Sequence, residues 1–308
     1  MNFFKLPVFI FTIFIPLLSS ASIKNLPYPK SPPSAAEIAQ QNQFVDKFYG
    51  FSRMPSTHQP SGRAILVTRS VGEPLSTTLA ERYINTNTSN TIASMELGSF
   101  LSGKHNSMTF LITHYEDDRA PSFQVWRPDL RKVRRIPAPL YDDRLAGSDF
   151  TWGDMILHRP EFENHKVIKQ QVFNRCLSTI ETKTDTKWMP NLPQASCHQK
   201  KRPVYILKSF SKGSPIKEYD YRIRFIDTET FADYRTEFYK DDILIRVVEK
   251  NWGPMGMEDP RVQAWSYMYA NDLQNDHESM FIQLDRNTTM KPNGKNFWSE
   301  NTLRKVNR

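Results

Sequence analysis

The chain has 308 residues, with 41 Lys and Arg against 33 Asp and Glu, for a formal charge of +8. Its hydrophobic fraction of 39% is too low for a polytopic membrane protein, its aromatic fraction of 12% too high for disorder throughout, and its two cysteines too few for a disulfide-dense miniprotein. What remains is a globular protein of one large domain, or two, able to bury roughly three quarters of its unfolded surface.

The first residues read as a targeting segment. Lys5 supplies a thin positive region, residues 6–18 are apolar apart from Thr12 and two prolines, and Ser19-Ser20-Ala21 offers a small-residue cleavage site. A cleaved signal peptide is therefore expected over 1–21, the alternative being an uncleaved anchor. As a helix, 6–18 reaches about 20 Å, short of a hydrocarbon core of roughly 30 Å. No cysteine follows the run, so lipid attachment there is not expected. Export would place Cys176 and Cys197 in an oxidising compartment, where a disulfide between them is expected. Closing that loop would stabilise by about 3 kcal/mol in the chain-entropy model. A metal or catalytic role would need more ligands, and His198 is the only neighbouring candidate.

Residues 22–34 carry Pro27, Pro29, Pro32 and Pro33 and read as an extended linker. The single domain is expected over 35–308. Ser34 with Glu37 three residues on forms a capping-box pattern, and Ile38, Phe44, Val45 and Phe48 give a partial apolar helical face that Gly50 ends. Strand signals then dominate, at 64–69, 79–84, 91–97 and 107–114, with a polar loop over 85–91. The stretch 123–126 runs through Arg127-Pro128-Asp129-Leu130 into 131–136, a hairpin with Pro and Asp placed for a type I turn. Residues 166–178 and 203–210 flank the cysteine loop.

The segment 219–227 alternates cleanly. Tyr219, Tyr221, Ile223 and Phe225 share one face, while Asp220, Arg222 and Arg224 share the other. A hairpin follows over 231–239 and 243–250. Strand 261–270 carries Trp265, Tyr267 and Tyr269 at alternate positions, and 278–284 is a further strand. About ten closely spaced strands with little helix predict a mainly β protein with an antiparallel sheet, strongly curved or nearly closed.

Familiar catalytic patterns are absent. There is no P-loop, GxGxxG, HExxH, GxSxG or paired CxxC, and no two of the seven histidines have metal-ligand spacing. Asp117-Asp118, Asp142-Asp143 and Asp241-Asp242 sit beside turn residues. Asp149 and Asp154 flank Phe150-Thr151-Trp152 without a visible base or nucleophile. No enzyme activity, cofactor or metal is expected. An enzyme acting on envelope lipids, with Asp149 and Asp154 as its best residues, stays as a third reading.

The densest positive cluster is Arg127, Arg131, Lys132, Arg134 and Arg135. Such a hairpin is either a charged edge that blocks aggregation or a contact for lipid headgroups or an acidic partner. Nucleic acid is disfavoured, because the signal directs the chain out of the cytoplasm.

The stretch Val125-Trp126-Arg127-Pro128-Asp129-Leu130-Arg131-Lys132-Val133-Arg134-Arg135-Ile136-Pro137, followed by Gly147-Ser148-Asp149-Phe150-Thr151-Trp152-Gly153-Asp154, resembles the outer membrane lipoprotein-sorting proteins of Gram-negative bacteria, a branch of the LolA-like superfamily. Arg224-Phe225-Ile226-Asp227-Thr228-Glu229-Thr230 and the terminal Phe297-Trp298-Ser299-Glu300-Asn301-Thr302-Leu303-Arg304-Lys305 agree with it. Arg127-Pro128 stands where Leu-Pro is usual, and the loop between the cysteines looks like an insertion.

The resemblance implies an open half-barrel, a highly curved antiparallel sheet with short helices covering its concave face. It also implies a periplasmic carrier for a lipid, lipoprotein or other acylated cargo. An inner-membrane RND-type transporter is then an expected partner, with peripheral membrane contact. Tyr221, Ile223 and Phe225, or Trp265, Tyr267 and Tyr269, would line its apolar cavity, unless they fill a closed core. Gly147 would permit a tight turn, Ser148 and Asp149 would hold the loop, and Phe150 and Trp152 would anchor it. A non-carrier periplasmic adaptor or envelope-stress sensor, acting by protein contact, is the alternative.

Overall fold

A computed structural model describes residues 23–53, 62–86, 88–89, 91–117, 119–156, 159–180, 198–212, 217–284 and 295–305. The expected signal peptide lies outside them, as does Cys197. Helix α1 spans Ala35–Asp46, and Ser34 caps it as the sequence predicts: its hydroxyl accepts from the Glu37 amide while the Glu37 carboxylate accepts from the Ser34 amide. The strands are β1 Gly62–Ser70, β2 Ser76–Asn85, β3 Ile92–Phe100, β4 Thr109–Tyr115, β5 Ser122–Arg127, β6 Lys132–Ile136, β7 Glu163–Phe173, β8 Cys176–Leu177, β9 His198–Gln199, β10 Arg202–Ser211, β11 Tyr221–Asp227, β12 Asp233–Lys240, β13 Ile243–Pro254, β14 Gln263–Asp272 and β15 His277–Gln283. Two short helices complete the set, α2 Trp152–Ile156 and α3 Glu300–Leu303.

Thirteen strands form one antiparallel sheet in the order β6-β5-β4-β3-β2-β1-β15-β14-β13-β12-β11-β10-β7. The sheet is open, with β6 and β7 as its edges. Pairing of β1 with β15 brings the two ends of the strand-rich region together, and β8 and β9 make a separate two-stranded ribbon. The expected fold class, an open antiparallel sheet with few short helices, is the observed one.

Helix α1 defines the inner face of the sheet. Asn42 donates to the Phe231 carbonyl and accepts from Arg224, Asp46 pairs with Lys250, and Lys47 approaches Glu96. Its apolar positions Ile38, Ala39, Phe44 and Val45 are all buried. The proline-rich stretch before it is docked rather than free. Lys24 donates to the Ile92 carbonyl, Leu26 accepts from Arg261, and the Tyr28 ring packs edge-on against Phe231.

Directly paired residues in an antiparallel ladder share a face, which fixes the orientation of β11. Arg224 pairs with Thr236, Thr236 with Val248, Val248 with Ala270 and Ala270 with Ser279. All lie on the side where Arg224 meets α1. Tyr221, Ile223 and Phe225 therefore point outward. The alternation predicted for this strand is present, but the arginines are the inward set.

The segment after β7 crosses the outer face. The Ser178 amide donates to Glu249, which shares the outer face with Tyr269, and Leu177 and Ile180 are buried there.

Candidate functional site

The inner face divides into two halves of different chemistry. Under α1, strands β10–β13 carry buried charge. Arg222 forks onto Glu163 at 2.6 and 2.9 Å, and Arg224 reaches Asn42 and Ser209 at 2.9 and 3.0 Å. Arg246 bonds Asp154 at 2.7 Å and Glu218 at 3.0 Å. Lys250 bonds Asp46 at 2.8 Å and Asp233 at 3.0 Å. Burial, then the adjacent Asp233, pushes Asp46 up to about 7. Burial alone would lower Lys250, but the two carboxylates hold it above its ordinary value.

The loop between β6 and β7 is tied to this half. Asp149 accepts from Ser279 and lies within hydrogen-bond reach of His277, each at 2.6 Å, and Ser279 in turn accepts from the Asp149 amide. Phe150 is fully buried against Phe281, and the Trp152 ring sits edge-on to Phe123 and Phe110. Ser148 donates to the Leu145 carbonyl, and Gly147 has φ +78°. Asp149 and Asp154 are thus engaged by named partners. Among the described residues no three His, Cys, Asp or Glu side chains are grouped as a metal would require.

The other half is an apolar cleft of about 800 Å³, its open mouth included. Without the open mouth its interior is about 70 Å³, below the roughly 300–1,000 Å³ of small-molecule sites, so a ligand there would also occupy the mouth. Its floor is the inner face of β1–β4, β14 and β15, with Ala64, Ala80, Ile84, Phe100, Phe110, Ile112, Trp265 and Phe281. Its roof is Phe48 after α1, with Leu145, Trp152 and Met155 from the loop. Gly98 makes room for one wall. A Cβ there would lie 2.1 Å from the Phe110 ring, which covers Gly98 across the strand pair.

Three charged residues break the apolar lining, Glu81, Arg82 and Glu96. The Glu96 carboxylate takes Arg82 at 2.6 Å and lies 3.3 Å from His114 Nε2 and 3.8 Å from Lys47 Nζ. Burial would raise Glu96, but Arg82, His114 and Lys47 hold it well below the usual carboxylate range. Burial, helped by Lys47, lowers His114 to about 4 and keeps its ring neutral at pH 7. Burial lowers Lys47 to about 8.

Of the six aromatic and aliphatic residues predicted to line a cavity, Trp265 is the one that borders this cleft. Register explains the difference. The β13–β14 pairing shifts between Lys250 and Trp252, so Lys250 faces Met268 but Trp252 faces Trp265. The bulge turns Trp265 inward and leaves Tyr267 and Tyr269 on the outer face, where Tyr269 donates to Glu278 at 2.6 Å. Phe225 packs outside against Phe173, and Tyr221 stacks on Tyr239 at 4.9 Å. Phe100 and Phe110 were not singled out by the sequence, and Phe48 was read only as part of a helical apolar face. The usable signal was Glu96, a lone carboxylate between Met95 and Leu97 in a strand.

The basic hairpin is exposed. Arg127, Arg131, Lys132, Arg134 and Arg135 all lie at the surface on or beside edge strand β6, with Arg127 paired to Asp129. No helix among the described residues is long and apolar enough to cross a membrane.

A model of a family of uncharacterized proteins matches residues 96–305. No curated protein matches the sequence. Among solved structures, a domain named for outer membrane lipoprotein sorting, from Vibrio parahaemolyticus, is 16% identical with a TM-score of 0.61, over 88% of this chain and 98% of that one. A DUF1329 family protein from Desulfovibrio piger is 13% identical with a TM-score of 0.60, over 87% and 97%. A LolA superfamily protein from Nitrosomonas europaea is 12% identical with a TM-score of 0.51, over 88% and 99%. These likenesses show a shared fold.

Proposed function

The chain belongs to this family of uncharacterized proteins, and from its fold and its apolar cleft we propose that it binds a lipid or an acylated molecule as a carrier rather than as an enzyme. One observation carries the reading: a cleft roofed by Phe48, Leu145, Trp152 and Met155 over a floor of aromatic and aliphatic side chains. An acyl chain moved there from water gains about 0.8 kcal/mol per methylene. The fold is shared with a domain named for lipoprotein sorting, and the export signal expected over 1–21 supports work in the periplasm of a Gram-negative cell. A lipoprotein cargo and an inner-membrane RND-type exporter are the finer parts of this proposal.

The test is to purify the secreted protein, extract it with organic solvent and identify co-purified lipid by mass spectrometry, with displacement of a fluorescent fatty acid as the second readout. Extracted acyl lipid and displaceable probe are the expected results. A protein that emerges lipid-free and binds no probe overturns the reading.

The exposed basic hairpin favours a second reading, an adaptor or stress sensor that works by protein contact. A membrane partner captured without bound lipid, and lost on charge reversal at Arg131, Arg134 and Arg135, would favour it.

A further inference from the structure

A second cleft lies beside the first, of about 930 Å³ with its open mouth included. Its walls are apolar and aromatic, with Tyr49, Tyr141, Ile156 and Phe162, but three cations, Lys47, Arg119 and Arg159, also border it. No carboxylate is among its described lining residues. The two clefts adjoin across one cluster of side chains. Lys47 and His114 border the second cleft and approach Glu96, which borders the first, at 3.8 and 3.3 Å. Lys47 also donates to the carbonyl of Met155, a roof residue of the first cleft, at 3.5 Å.

Each cation is held in place. The Lys47 side chain is only 6% exposed. The Arg159 guanidinium bonds the carbonyls of Tyr115, Glu116 and Asp117, and Arg119 lies 4.2 Å over the Tyr115 ring while pairing with Asp117. The Glu96 carboxylate is shared by Arg82 at 2.6 Å, His114 at 3.3 Å and Lys47 at 3.8 Å. Lys47 is the most distant of the three and also borders the second cleft, so it can take a further counter-charge from that side. A buried cation whose carboxylate is shared among three partners gains from a further counter-charge.

We propose that this second cleft takes the anionic headgroup, a phosphate or carboxylate, of an amphiphile whose acyl chain occupies the apolar cleft, with Lys47, Arg119 and Arg159 as its cationic contacts. The inference rests on the lipid-binding reading and narrows it to anionic amphiphiles. The Lys47–Glu96–His114 cluster then stands where the chain meets the headgroup. Charge-assisted hydrogen bonds to a phosphate are roughly twice as strong as neutral ones, and their cost is small because the cations are already fixed.

The experiment is calorimetric titration of the full-length secreted protein with three probes: tetradecyl phosphate, tetradecanol and inorganic phosphate. The expected result is that tetradecyl phosphate binds about tenfold or more tightly than either of the others, and that Arg119→Gln and Arg159→Gln each cut that preference severalfold. Arg119 is exposed, so its variant is not expected to disturb folding. Equal affinity for tetradecyl phosphate and tetradecanol overturns the headgroup site and leaves the lipid reading standing. Inorganic phosphate binding as tightly as tetradecyl phosphate overturns it too, because the chain would then contribute nothing. Failure of both alkyl probes to bind overturns both proposals.

Discussion

Replacing Glu96 by glutamine removes the only negative charge in the cluster between the two clefts while keeping its shape. Arg82 and Lys47 then repel each other with only the longer-range pull of Asp46 left on Lys47, whose side chain is 6% exposed. A unit charge pair about 4 Å apart interacts by about 4 kcal/mol at an effective dielectric of about 20, and the Lys47–Glu96 contact is 3.8 Å. Removing one partner from a buried pair costs about 3 to 5 kcal/mol, and that is the expected loss for Glu96→Gln at pH 6. The loss shrinks with pH, because Lys47 can shed its proton. In the native protein it does so at about 8, and without Glu96 the transition moves lower. A base depressed in the folded state leaves the unfolded chain with more bound protons, so stability rises with pH through that window. In the variant the rise begins earlier, and the gap to wild type narrows by pH 9. Urea unfolding at pH 6, 7.5 and 9 reads both effects. A loss under about 1 kcal/mol, or one that stays constant from pH 6 to 9, refutes the electrostatic account of this cluster.

Three further outcomes follow from the same geometry. Burial holds His114 and His165 at about 4, against about 6.5 in an unfolded chain, so the unfolded state takes up protons first and stability is lost as pH falls from 6.5 toward 4. His114 accounts for about 3 kcal/mol of that loss, and the slope in thermal unfolding should flatten in His114→Gln. In Gly98→Ala the new methyl would meet Phe110 at 2.1 Å, forcing the ring to shift at a cost of about 1 to 3 kcal/mol. Fatty-acid probe affinity should fall with it, and unchanged binding would show that this wall does not matter. If export leads to the expected disulfide between Cys176 and Cys197, denatured, unreduced protein should show no titratable thiol and reduced protein two.

The strands were legible because their signal is local. Each predicted segment from 64–69 to 278–284 overlaps an observed strand, and the Ser34–Glu37 capping box is present as expected. Facing was not legible, because it depends on what covers the sheet. In β11 the period-2 pattern was correct, yet the rule that apolar residues go inward gave the wrong side. Both faces are covered, one by α1 and the other by the crossing after β7, so Phe225 is buried outside and Arg224 inside. In β14 a single bulge separated Trp265 from Tyr267 and Tyr269, and a slip of one residue reverses every later side chain. The cleft was illegible for a related reason. Its walls come from strands far apart in sequence, and no local pattern links Phe110 to Phe281.

The division of the inner face bears on how an open cleft survives. A wide apolar concavity tends to collapse, since any roof that slides inward buries more apolar surface. The roof here is fixed by bonds that have one geometry. Asp46 and Asp233 converge on Lys250, Arg224 meets Asn42, and Arg246 meets Asp154 two residues beyond Trp152. Buried ion pairs add little net stability compared with well-packed apolar side chains, so stability alone does not explain so many under one helix. They do specify position: sinking α1 or α2 toward the cleft would cost Lys250, Arg224 and Arg246 one partner each (Asp46, Asn42 and Asp154) while keeping them out of water. The charged half of the sheet thus acts as a fixed mount for Phe48 and Trp152, and the apolar half stays open beneath them. On this argument Lys250→Met, which keeps the packing but frees Asp46 to take a proton, should loosen the roof more than it lowers the midpoint of unfolding. Faster amide exchange across α1, with fatty-acid affinity reduced, is the expected result, and unchanged exchange in α1 would refute the mount.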